Sequence, residues 1–387
     1  MALIKPDSAS FAKIKVLGVG GGGGNALNTM VENNQINGVE FIAINTDSQA
    51  LLANKANTKI QIGKELTRGL GSGGNPEVGR EATEESRELL KEYLIDTDMV
   101  FIGGGMGGGT YTGGAPVIAD VAREMGALTI AVTTKPFSFE GTKRMVIAEE
   151  GLENLKNKVD TLIVVPNQRI MDIIDRKMTL LEAFKVVDSV LSQGVQGISE
   201  IITTPGLINV DFADVKVIMK NAGSSLLGIG TGVGENRAQV AAKAAVSSPL
   251  LDISVEGAKG ILFNITGGPD LTMSEVEEAA KFISETADVD ANIIFGATID
   301  ENMTDQVKII VIATGFDESR LRLAKMMSKP QPPKPQGIVS EFLKEKEEKE
   351  EQPEEIKREE KIEEDKEIEE DEFGEEFDIP TFLRQGK

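Results

Sequence analysis

The 387-residue chain contains neither cysteine nor histidine. Without cysteine it cannot form a disulfide, bind a metal through thiolates or use a thiol as a nucleophile. Without histidine, any general base must be a carboxylate, a lysine, a tyrosine or a water molecule. These two absences exclude most hydrolase mechanisms.

Long apolar runs are also missing. None approaches the roughly 18–20 residues that are needed to span a bilayer. The N-terminal sequence MALIKPDSASFAK is interrupted by Lys5, Pro6 and Asp7, so it does not supply the core of a signal peptide. We therefore expect a soluble, cytoplasmic protein with no membrane span.

Positive charge is scarce compared with negative charge. The chain has 41 Lys and Arg against 63 Asp and Glu, which gives a net charge of −22. Residues 341–376 hold 20 acidic and 7 basic residues, so this range contributes −13 and the rest of the chain −9. Nucleic-acid binding requires clustered basic residues against phosphate. We therefore expect no nucleic-acid partner.

The first half of the sequence alternates short apolar runs with helical patterns, for example over 77–94. Such alternation predicts βαβ units and a Rossmann-like, doubly wound α/β sheet. A longer helical pattern follows over 179–202 and stops at Pro205 and Gly206. The apolar runs that predict buried parallel strands are 13–19, 39–45, 99–103, 128–134 and 161–166.

A second set of elements predicts another α/β domain. Its helical patterns cover about 211–220, 235–247 and 273–285. Its predicted strands cover about 222–230, 260–267, 292–299 and 307–315.

The C-terminal part has a different composition. Residues 329–337 are proline-rich, and 341–376 are mostly Glu and Lys with almost no apolar side chains. Such a segment cannot bury enough surface to offset chain entropy, so we predict that it is disordered. The last residues regain apolar character in FDIPTFLR (377–384).

These patterns divide the chain into six predicted parts. They are a flexible N-terminus (1–12), a first α/β domain (13–178), a connecting helix (179–204), a second, C-terminal domain (205–316), a disordered charged linker (317–372) and a tail that regains apolar residues (373–387).

The first glycine-rich loop is GVGGGGGN (18–25), which leaves a predicted strand and opens a helix. Glycine allows backbone N–H groups to approach an anion at a helix N-terminus. The spacing of Gly18, Gly20 and Gly23, with Asp47 after the next strand, also satisfies the dinucleotide-binding pattern. A turn without ligand and an NAD(P)-dependent oxidoreductase are therefore open alternatives for this loop.

A second cluster, GGGMGGGTYTGG (103–114), follows another predicted strand and precedes a helix predicted over 115–125. A third, GLGSGGNPE (69–77), is predicted to have the same placement after a strand. None of the three loops contains a basic residue, so none has the lysine of a P-loop. Phosphate charge must then be met by backbone amides and a Mg²⁺ ion. The expected ligand is a nucleotide polyphosphate.

The segment GGGT-x-TGGAPV (107–117) resembles the phosphate loop of the tubulin/FtsZ family. Further segments resemble FtsZ sequences in the same order, so that the resemblance covers about residues 11–316. These segments are 45–51, 69–80, 136–144, 166–169, 183–191, 193–202 and 209–215, and FDIPTFLR follows in the tail.

The resemblance implies a GTPase that binds GTP and GDP and polymerises head-to-tail into the ring of bacterial cell division. The protein would then be found in the cytoplasm, at the division site. Residues 376–384 would bind membrane-tethering and regulatory division proteins.

The resemblance also implies roles for individual residues. Asp188 would read the guanine base and Phe184 would stack on it; by pattern alone, the two would be a surface charge and a core residue. Glu140 and Arg144 would lie near the sugar and phosphates. The remaining expected nucleotide contacts are Gly21, Gly22, Gly23, Asn25, Asn45, Gly71, Ser72, Gly73, Gly74, Gly105, Gly107, Gly108, Gly109, Thr110, Tyr111, Thr112, Gly113 and Asn167.

For hydrolysis, the resemblance points to Asn209, Asp211 and Asp214. In that family this acidic loop belongs to the next subunit, where its carboxylates polarise the attacking water and help to hold the cation. By composition alone, Asn209 or Asp211 would instead be expected to cap the helix predicted over 211–220.

Tyr111 departs from the family pattern, which has glycine there. A tyrosine does not easily adopt the unusual φ and ψ that glycine permits. Gly103, Gly104 and Gly114 stand where alanine or threonine is more usual, and they could give Tyr111 room or loosen the loop. The alternative function is therefore a structural polymer that binds GTP but hydrolyses it poorly.

Overall fold

The computed structural model describes residues 12–33, 36, 38–171, 178–204, 206–208, 210–248, 255–301 and 303–316. The predicted linker and tail, and nearly all of the predicted flexible N-terminus, lie outside these residues. The strands are β1 (Ile14–Val19), β2 (Val39–Asn45), β3 (Thr58–Gln61), β4 (Met99–Gly105), β5 (Leu128–Lys135), β6 (Thr161–Pro166), β7 (Gly223–Val233), β8 (Gly260–Gly267), β9 (Asn292–Ile299) and β10 (Gln306–Thr314).

Helices connect most of these strands. They are α1 (Gly20–Asn33), α2 (Ser48–Ala53), α3 (Lys64–Thr67), α4 (Pro76–Glu85), α5 (Arg87–Leu94), α6 (Thr110–Glu124), α7 (Thr142–Lys156), α8 (Asn167–Met171), α9 (Leu180–Thr203), α10 (Phe212–Met219), α11 (Arg237–Val246) and α12 (Met273–Thr286). A single 3₁₀ turn covers Ser138–Glu140. No helix in the ranges given above is long and apolar enough to cross a bilayer.

The strands form one sheet in the order β3-β2-β1-β4-β5-β6-β7-β10-β8-β9. Pairing is parallel from β3 to β7, which confirms the predicted parallel sheet. In the second half β10 runs antiparallel to both β7 and β8, so this part of the sheet is mixed. The strand order reverses between β1 and β4, and in such sheets ligands bind at the carboxyl ends beside the reversal.

Helix α9 holds the two halves of the sheet together. Two glycines in α9 bring its backbone close to the second half: a Cβ added to Gly194 would lie 2.7 Å from Leu227 Cδ2 on β7. One added to Gly197 would lie 2.6 Å from Ile310 Cδ1 on β10. For the first half, Val195 and Ile198 of the same helix are buried in one apolar cluster with residues of β1 and β4. The helix therefore fixes the second half of the sheet relative to the first.

Two predicted helices differ from the observed ones. The pattern over 77–94 predicts one helix, but the structure has α4 and α5 with a break at Ser86. The Ser86 hydroxyl accepts a hydrogen bond from the N–H of Gly63, so it is committed to a tertiary contact. Helix α6 begins at Thr110 rather than at 115, so the second half of the glycine cluster is helical.

Asp160 joins three strands where the two halves of the sheet meet. Its carboxylate accepts hydrogen bonds from Thr129 N (3.0 Å) and Asn221 N (3.4 Å), and its carbonyl accepts one from Gly223 N (3.0 Å). The side chain is buried. It supplies an acceptor to Thr129 just before the pairing of β5 with β6 begins at Ile130 and Thr161.

We expect Asp160→Ala to lower the free energy of unfolding by about 1–3 kcal/mol, because it leaves the buried Thr129 N–H without an acceptor. Urea denaturation followed by circular dichroism measures the change. Asp98→Ala is the matched control, since Asp98 also accepts a backbone hydrogen bond, from Lys13 N, but at an exposed position. Equal losses in the two variants would contradict a special role for Asp160.

Candidate functional site

The two predicted glycine loops lie side by side at the carboxyl ends of β1 and β4. A Cβ added to Gly22 would lie 3.5 Å from Gly105 N, and one added to Gly23 would lie 2.4 Å from Gly103 O. Helix α1 begins directly after β1, and four residues separate the end of β4 from the start of α6. Two helix N-termini, each with unpaired N–H groups and a partial positive charge, therefore open beside one another.

In the first loop the glycines form the opening turn of α1. Gly20 has a φ of +70°, which favours glycine, and it turns the chain from the strand into the helix. Gly21, Gly22 and Asn25 are exposed. A Cβ on Gly21 would meet nothing within 4 Å. This turn is open to a ligand on its outer side.

The glycines of the second loop have different functions. Gly107 adopts a φ of +92°, and its N–H donates to Thr112 Oγ1 at 3.0 Å. A Cβ there would lie 2.7 Å from Arg144 O, whereas one on Gly108 would meet nothing. The strand β4 takes up Gly103, Gly104 and Gly105. Of these glycines, only Gly105 and Gly108 are partly exposed, so they mark the open part of this loop.

Gly109 and Gly113 allow α6 to contact α4. A Cβ on Gly109 would lie 2.2 Å from Ser72 Oγ, and one on Gly113 would lie 1.8 Å from Pro76 O. The absence of side chains at these two positions is thus explained by helix packing. Gly109 is also the N-cap residue of α6. Because glycine has no side chain, it does not cap the N–H groups of the first turn.

A hydroxyl network joins three loops at the start of α6. Thr110 Oγ1 lies 3.1 Å from Thr46 Oγ1 and 3.0 Å from Ser72 Oγ. All three hydroxyl groups are buried. Thr46 is not among the residues that the sequence predicts for the site, although it lies within the NTDSQAL segment (45–51) that carries the family resemblance.

The third glycine cluster presents an open backbone. Gly71, Gly73 and Gly74 are exposed, and a Cβ on any of them would meet nothing within 4 Å. Gly73 and Gly74 have φ values of +62° and +73°. The prediction that this loop follows a strand is wrong, because the one-turn helix α3 precedes it. Ser72 nevertheless brings the loop to Thr110.

Asp47 does not support a dinucleotide site. Its carboxylate accepts hydrogen bonds from Gln49 N (2.9 Å) and Ala50 N (3.2 Å) and so caps α2. In a dinucleotide site this carboxylate would hold the ribose hydroxyl groups. Asn45 is buried at the end of β2, and its Oδ1 accepts a bond from Asp47 N at 3.3 Å.

Glu140 and Arg144 form one rim of the site. Glu140 Oε1 accepts a hydrogen bond from Phe137 N at 2.9 Å, and its Oε2 pairs with Arg144 Nη1 at 3.0 Å. The Arg144 side chain is half exposed, whereas that of Glu140 is largely covered. Since Arg144 O lies against Gly107, the rim adjoins the second loop.

An aromatic and apolar cluster supports the other predicted contacts. Phe184 packs edge-on against Phe137, with ring centroids 5.5 Å apart, and it is 38% exposed. Phe137 belongs to one buried cluster with Ile170 of α8 and Val187 of α9. This cluster ties α8, which begins at Asn167, to the part of α9 that carries Asp188.

Asn167 and Asp188 are polar groups in covered positions. Asn167 is 5% exposed, and its Oδ1 has no hydrogen-bond partner. Burial raises the pKa of Asp188 to about 6. Buried polar groups nearly always have a partner, so the unpaired amide oxygen of Asn167 favours a ligand contact.

Tyr111 does not adopt the strained conformation that its position in the sequence suggests. It lies in the first turn of α6 and is not among the residues with positive φ. Its ring is 3% exposed, and its hydroxyl donates to Ile102 O at 3.1 Å. Burial raises the pKa of the phenol above its usual range. Since the side chain points into the core, a ligand contact by Tyr111 would be made by its backbone.

The acidic loop leaves its carboxylates exposed. Asp211 occupies the N-cap position of α10 but makes no side-chain capping bond, so the capping alternative is wrong for this side chain. Asp214, in the first turn, is also exposed. Asn209 lies outside the described residues.

Asp211 and Asp214 are remote from the glycine loops of their own chain. Helix α9 begins near Phe137 at the carboxyl ends of the strands and extends about 36 Å for its 24 residues. It ends at Thr203, against Gly38 at the amino end of β2. Helix α10 ends at Met219, whose carbonyl accepts a bond from Thr161 at the amino end of β6. Asp211 and Asp214 lie in the chain between Thr203 and Met219, which both contact the amino ends of the parallel strands.

The arrangement fits a nucleotide with several phosphates. Two uncapped helix N-termini and three exposed glycine backbones offer N–H groups without side chains in the way, and Asn167 Oδ1 offers an acceptor. Within the described ranges, no group of three or more acidic side chains is placed to hold a metal ion.

Two family profiles match the chain in succession. Residues 13–175 match the Tubulin/FtsZ family, GTPase domain. Residues 223–317 match the FtsZ family, C-terminal domain. The two matches lie on either side of helix α9.

Solved structures give the same result. An empty FtsZ dimer from M. jannaschii is 48% identical to this chain, with 80% of this chain and 90% of that one covered and a TM-score of 0.77. An FtsZ mutant from M. jannaschii is 50% identical, with coverages of 80% and 92% and a TM-score of 0.76. CetZ2 from Haloferax volcanii, a GTPγS-bound protofilament, shares the fold at 20% identity, with coverages of 82% and 100% and a TM-score of 0.67. The chain is therefore a member of the Tubulin/FtsZ family, with a GTPase domain followed by an FtsZ-type C-terminal domain.

Proposed function

We propose that the protein hydrolyses GTP at a site that is completed only when two copies of the chain stack head-to-tail. The observation that carries this proposal is the separation of the two halves of the site. The open glycine loops lie at the carboxyl ends of the parallel strands, and the exposed carboxylates of Asp211 and Asp214 lie beyond the far end of α9.

The glycine loops would bind the phosphates. N–H groups at the starts of α1 and α6 would hold the α- and β-phosphates, through Gly21–Gly23 and the 105–110 segment. The exposed turn Gly71–Gly74 would face the γ-phosphate, because Ser72 ties this turn to Thr110. A bound Mg²⁺ ion would neutralise charge that the loops, lacking lysine and arginine, leave uncompensated.

The guanine base would be held by α9. When ionised, the Asp188 carboxylate accepts hydrogen bonds only, which matches the donor groups at guanine N1 and N2. Phe184, one turn earlier, would cover the face of the ring and is held by Phe137. Asn25 and Asn167 would complete the contacts to base and ribose.

The neighbouring subunit would supply Asp211 and Asp214. A surface with the nucleotide loops that meets a different surface with the acidic loop makes a heterologous contact, which extends into a filament unless it closes. There the carboxylates would orient the attacking water for in-line displacement at the γ-phosphate. Two similar solved structures, an FtsZ dimer and a CetZ2 protofilament, support such self-association.

In the cell, such filaments would form a ring for division, at the cytoplasmic face of the division site. Residues 376–384, outside the described residues, would bind membrane-tethering and regulatory division proteins. Many tails on one filament would raise the avidity of that binding well above the affinity of one tail.

The alternative, a polymer that binds GTP but hydrolyses it poorly, depends on obstruction by Tyr111. Its ring is buried and points away from the open part of the loop. We therefore favour hydrolysis, with a rate that rises cooperatively above a threshold protein concentration. Filaments that form with GTP but release no phosphate would instead support the alternative.

We expect Asp211→Ala and Asp214→Ala each to reduce the GTP turnover rate by about 100-fold or more, with GTP affinity within about twofold of wild type. The reason is that these carboxylates act on the partner's nucleotide and not on their own. Phosphate release and nucleotide titration measure the two quantities. Glu278→Ala, at an exposed position on α12, is the control for the removal of a surface carboxylate.

Mixing variants tests the shared site directly. An equimolar mixture of Asp214→Ala and Asp188→Ala should recover up to about a quarter of the wild-type rate, since intact nucleotide pockets then meet intact acidic loops at random contacts. A mixture no more active than its components would contradict completion of the site by a neighbour.

We expect GTP affinity to fall about tenfold between pH 7.5 and pH 5. The pKa of Asp188 is about 6, so the carboxylate that accepts the guanine hydrogen bonds is mostly ionised at the higher pH and mostly protonated at the lower. Fluorescence titration at several pH values measures the change. Asp188→Asn is the control, because the phosphates of the nucleotide titrate equally in both proteins. An equal pH dependence in the variant would exclude Asp188 as its source.

A further inference from the structure

The ring of Tyr111 occupies the space in which a side chain at Gly104 would lie. A Cβ added to Gly104 would be 2.1 Å from Tyr111 Cδ2 and 2.5 Å from Cε2, far inside van der Waals contact. The hydroxyl reaches Ile102 O, two residues back along β4. The phenol therefore lies flat along the last residues of β4, and only glycine at position 104 permits this.

The other two unusual glycines have no such relation to Tyr111. Outside the adjoining residues, the atom nearest to a Cβ on Gly103 would be Leu17 O, at 3.7 Å. A Cβ on Gly114 would meet Thr83 Oγ1 at 2.5 Å. Of these three glycines, Gly104 alone makes room for the ring.

Tyr111 stands between the two threonines that hold the loops together. The hydroxyl of Thr110 is hydrogen-bonded to those of Thr46 and Ser72, and the hydroxyl of Thr112 accepts a hydrogen bond from the N–H of Gly107. The backbone of Tyr111 also faces the first glycine loop: a Cβ on Gly20 would lie 3.5 Å from Tyr111 N. Anchoring Tyr111 thus fixes the first turn of α6 relative to all three glycine loops.

We propose that Tyr111 is a positioning residue, which clamps the first turn of α6 onto β4 and so sets the geometry of the phosphate loops, and that Gly104 is its obligatory counterpart. The proposal rests on the proposed binding of GTP at these loops. It replaces the expectation that Tyr111 impairs the loop: the tyrosine and the glycine together form one anchoring contact.

The test is the effect of Gly104→Ala in two backgrounds. In the wild-type chain the new methyl group must displace the ring and with it the start of α6, so we expect the dissociation constant of a fluorescent GTP analogue to rise about tenfold or more. In a Tyr111→Gly background the same substitution should change it less than about twofold, since the clash is gone. Gly103→Ala is the matched control. It adds the same methyl group one residue earlier in β4 without a clash, and it should leave the dissociation constant within about twofold of wild type.

Tyr111→Phe separates positioning from core packing, because it keeps the ring and removes only the hydroxyl bond to Ile102. We expect GTP to bind about threefold more weakly and KM to rise while kcat changes little, measured well below the thermal midpoint of each protein. If Tyr111 only filled the core, this variant would lower the thermal midpoint and leave GTP affinity unchanged.

Two results would overturn the proposal. One is a Gly104→Ala variant that binds GTP as the wild type does, and the other is an equal loss in both backgrounds. Wild-type protein that fails to bind GTP would overturn the proposed function and this inference with it. Wild-type binding combined with an unaffected Gly104→Ala variant overturns the inference alone.

Discussion

Direct contact between glycine backbones is the constraint on which the rest of the site depends. Cβ atoms on Gly23, Gly109 and Gly113 would lie 2.4, 2.2 and 1.8 Å from neighbouring atoms, so any side chain there would push α1 away from β4 or α6 away from α4. Other glycines of the same loops, Gly21, Gly22 and Gly108, are exposed or partly exposed. Glycine thus serves close packing at some positions and leaves the backbone uncovered at others, because it has no side chain.

The acidic groups lie elsewhere in the chain. The glycine loops 18–25 and 103–114 carry no carboxylate, lysine or arginine. Helix α9 separates the loops from Asp211 and Asp214 by most of its length of about 36 Å. The proposed division of labour between two copies depends on this separation.

Much of the fold could be predicted because the buried strands have a local signal. The strands β2, β6, β8 and β9 begin and end at the predicted residues, since each is a short, mostly apolar run. The errors arise where distant segments decide. The helix predicted over 77–94 breaks at Ser86, where the hydroxyl accepts a hydrogen bond from the N–H of Gly63. Helix α6 begins five residues earlier than predicted, and its glycines pack against α4. The strand β10 is predicted, but its antiparallel direction, which makes the second half of the sheet mixed, has no signal in its own sequence.

The sequence by itself determined that this is an α/β protein with glycine loops after β1 and β4, that those loops lack basic residues, and that it resembles a GTPase family. It also identified Tyr111 as the unexpected residue. Only the tertiary structure decided which glycines serve packing and which remain open, that Asp47 caps α2, and that Tyr111 lies against Gly104. The physical reason is that each of these contacts joins segments that are separate in the chain. Composition records which side chains are missing, whereas only the packed structure shows what occupies the space they leave.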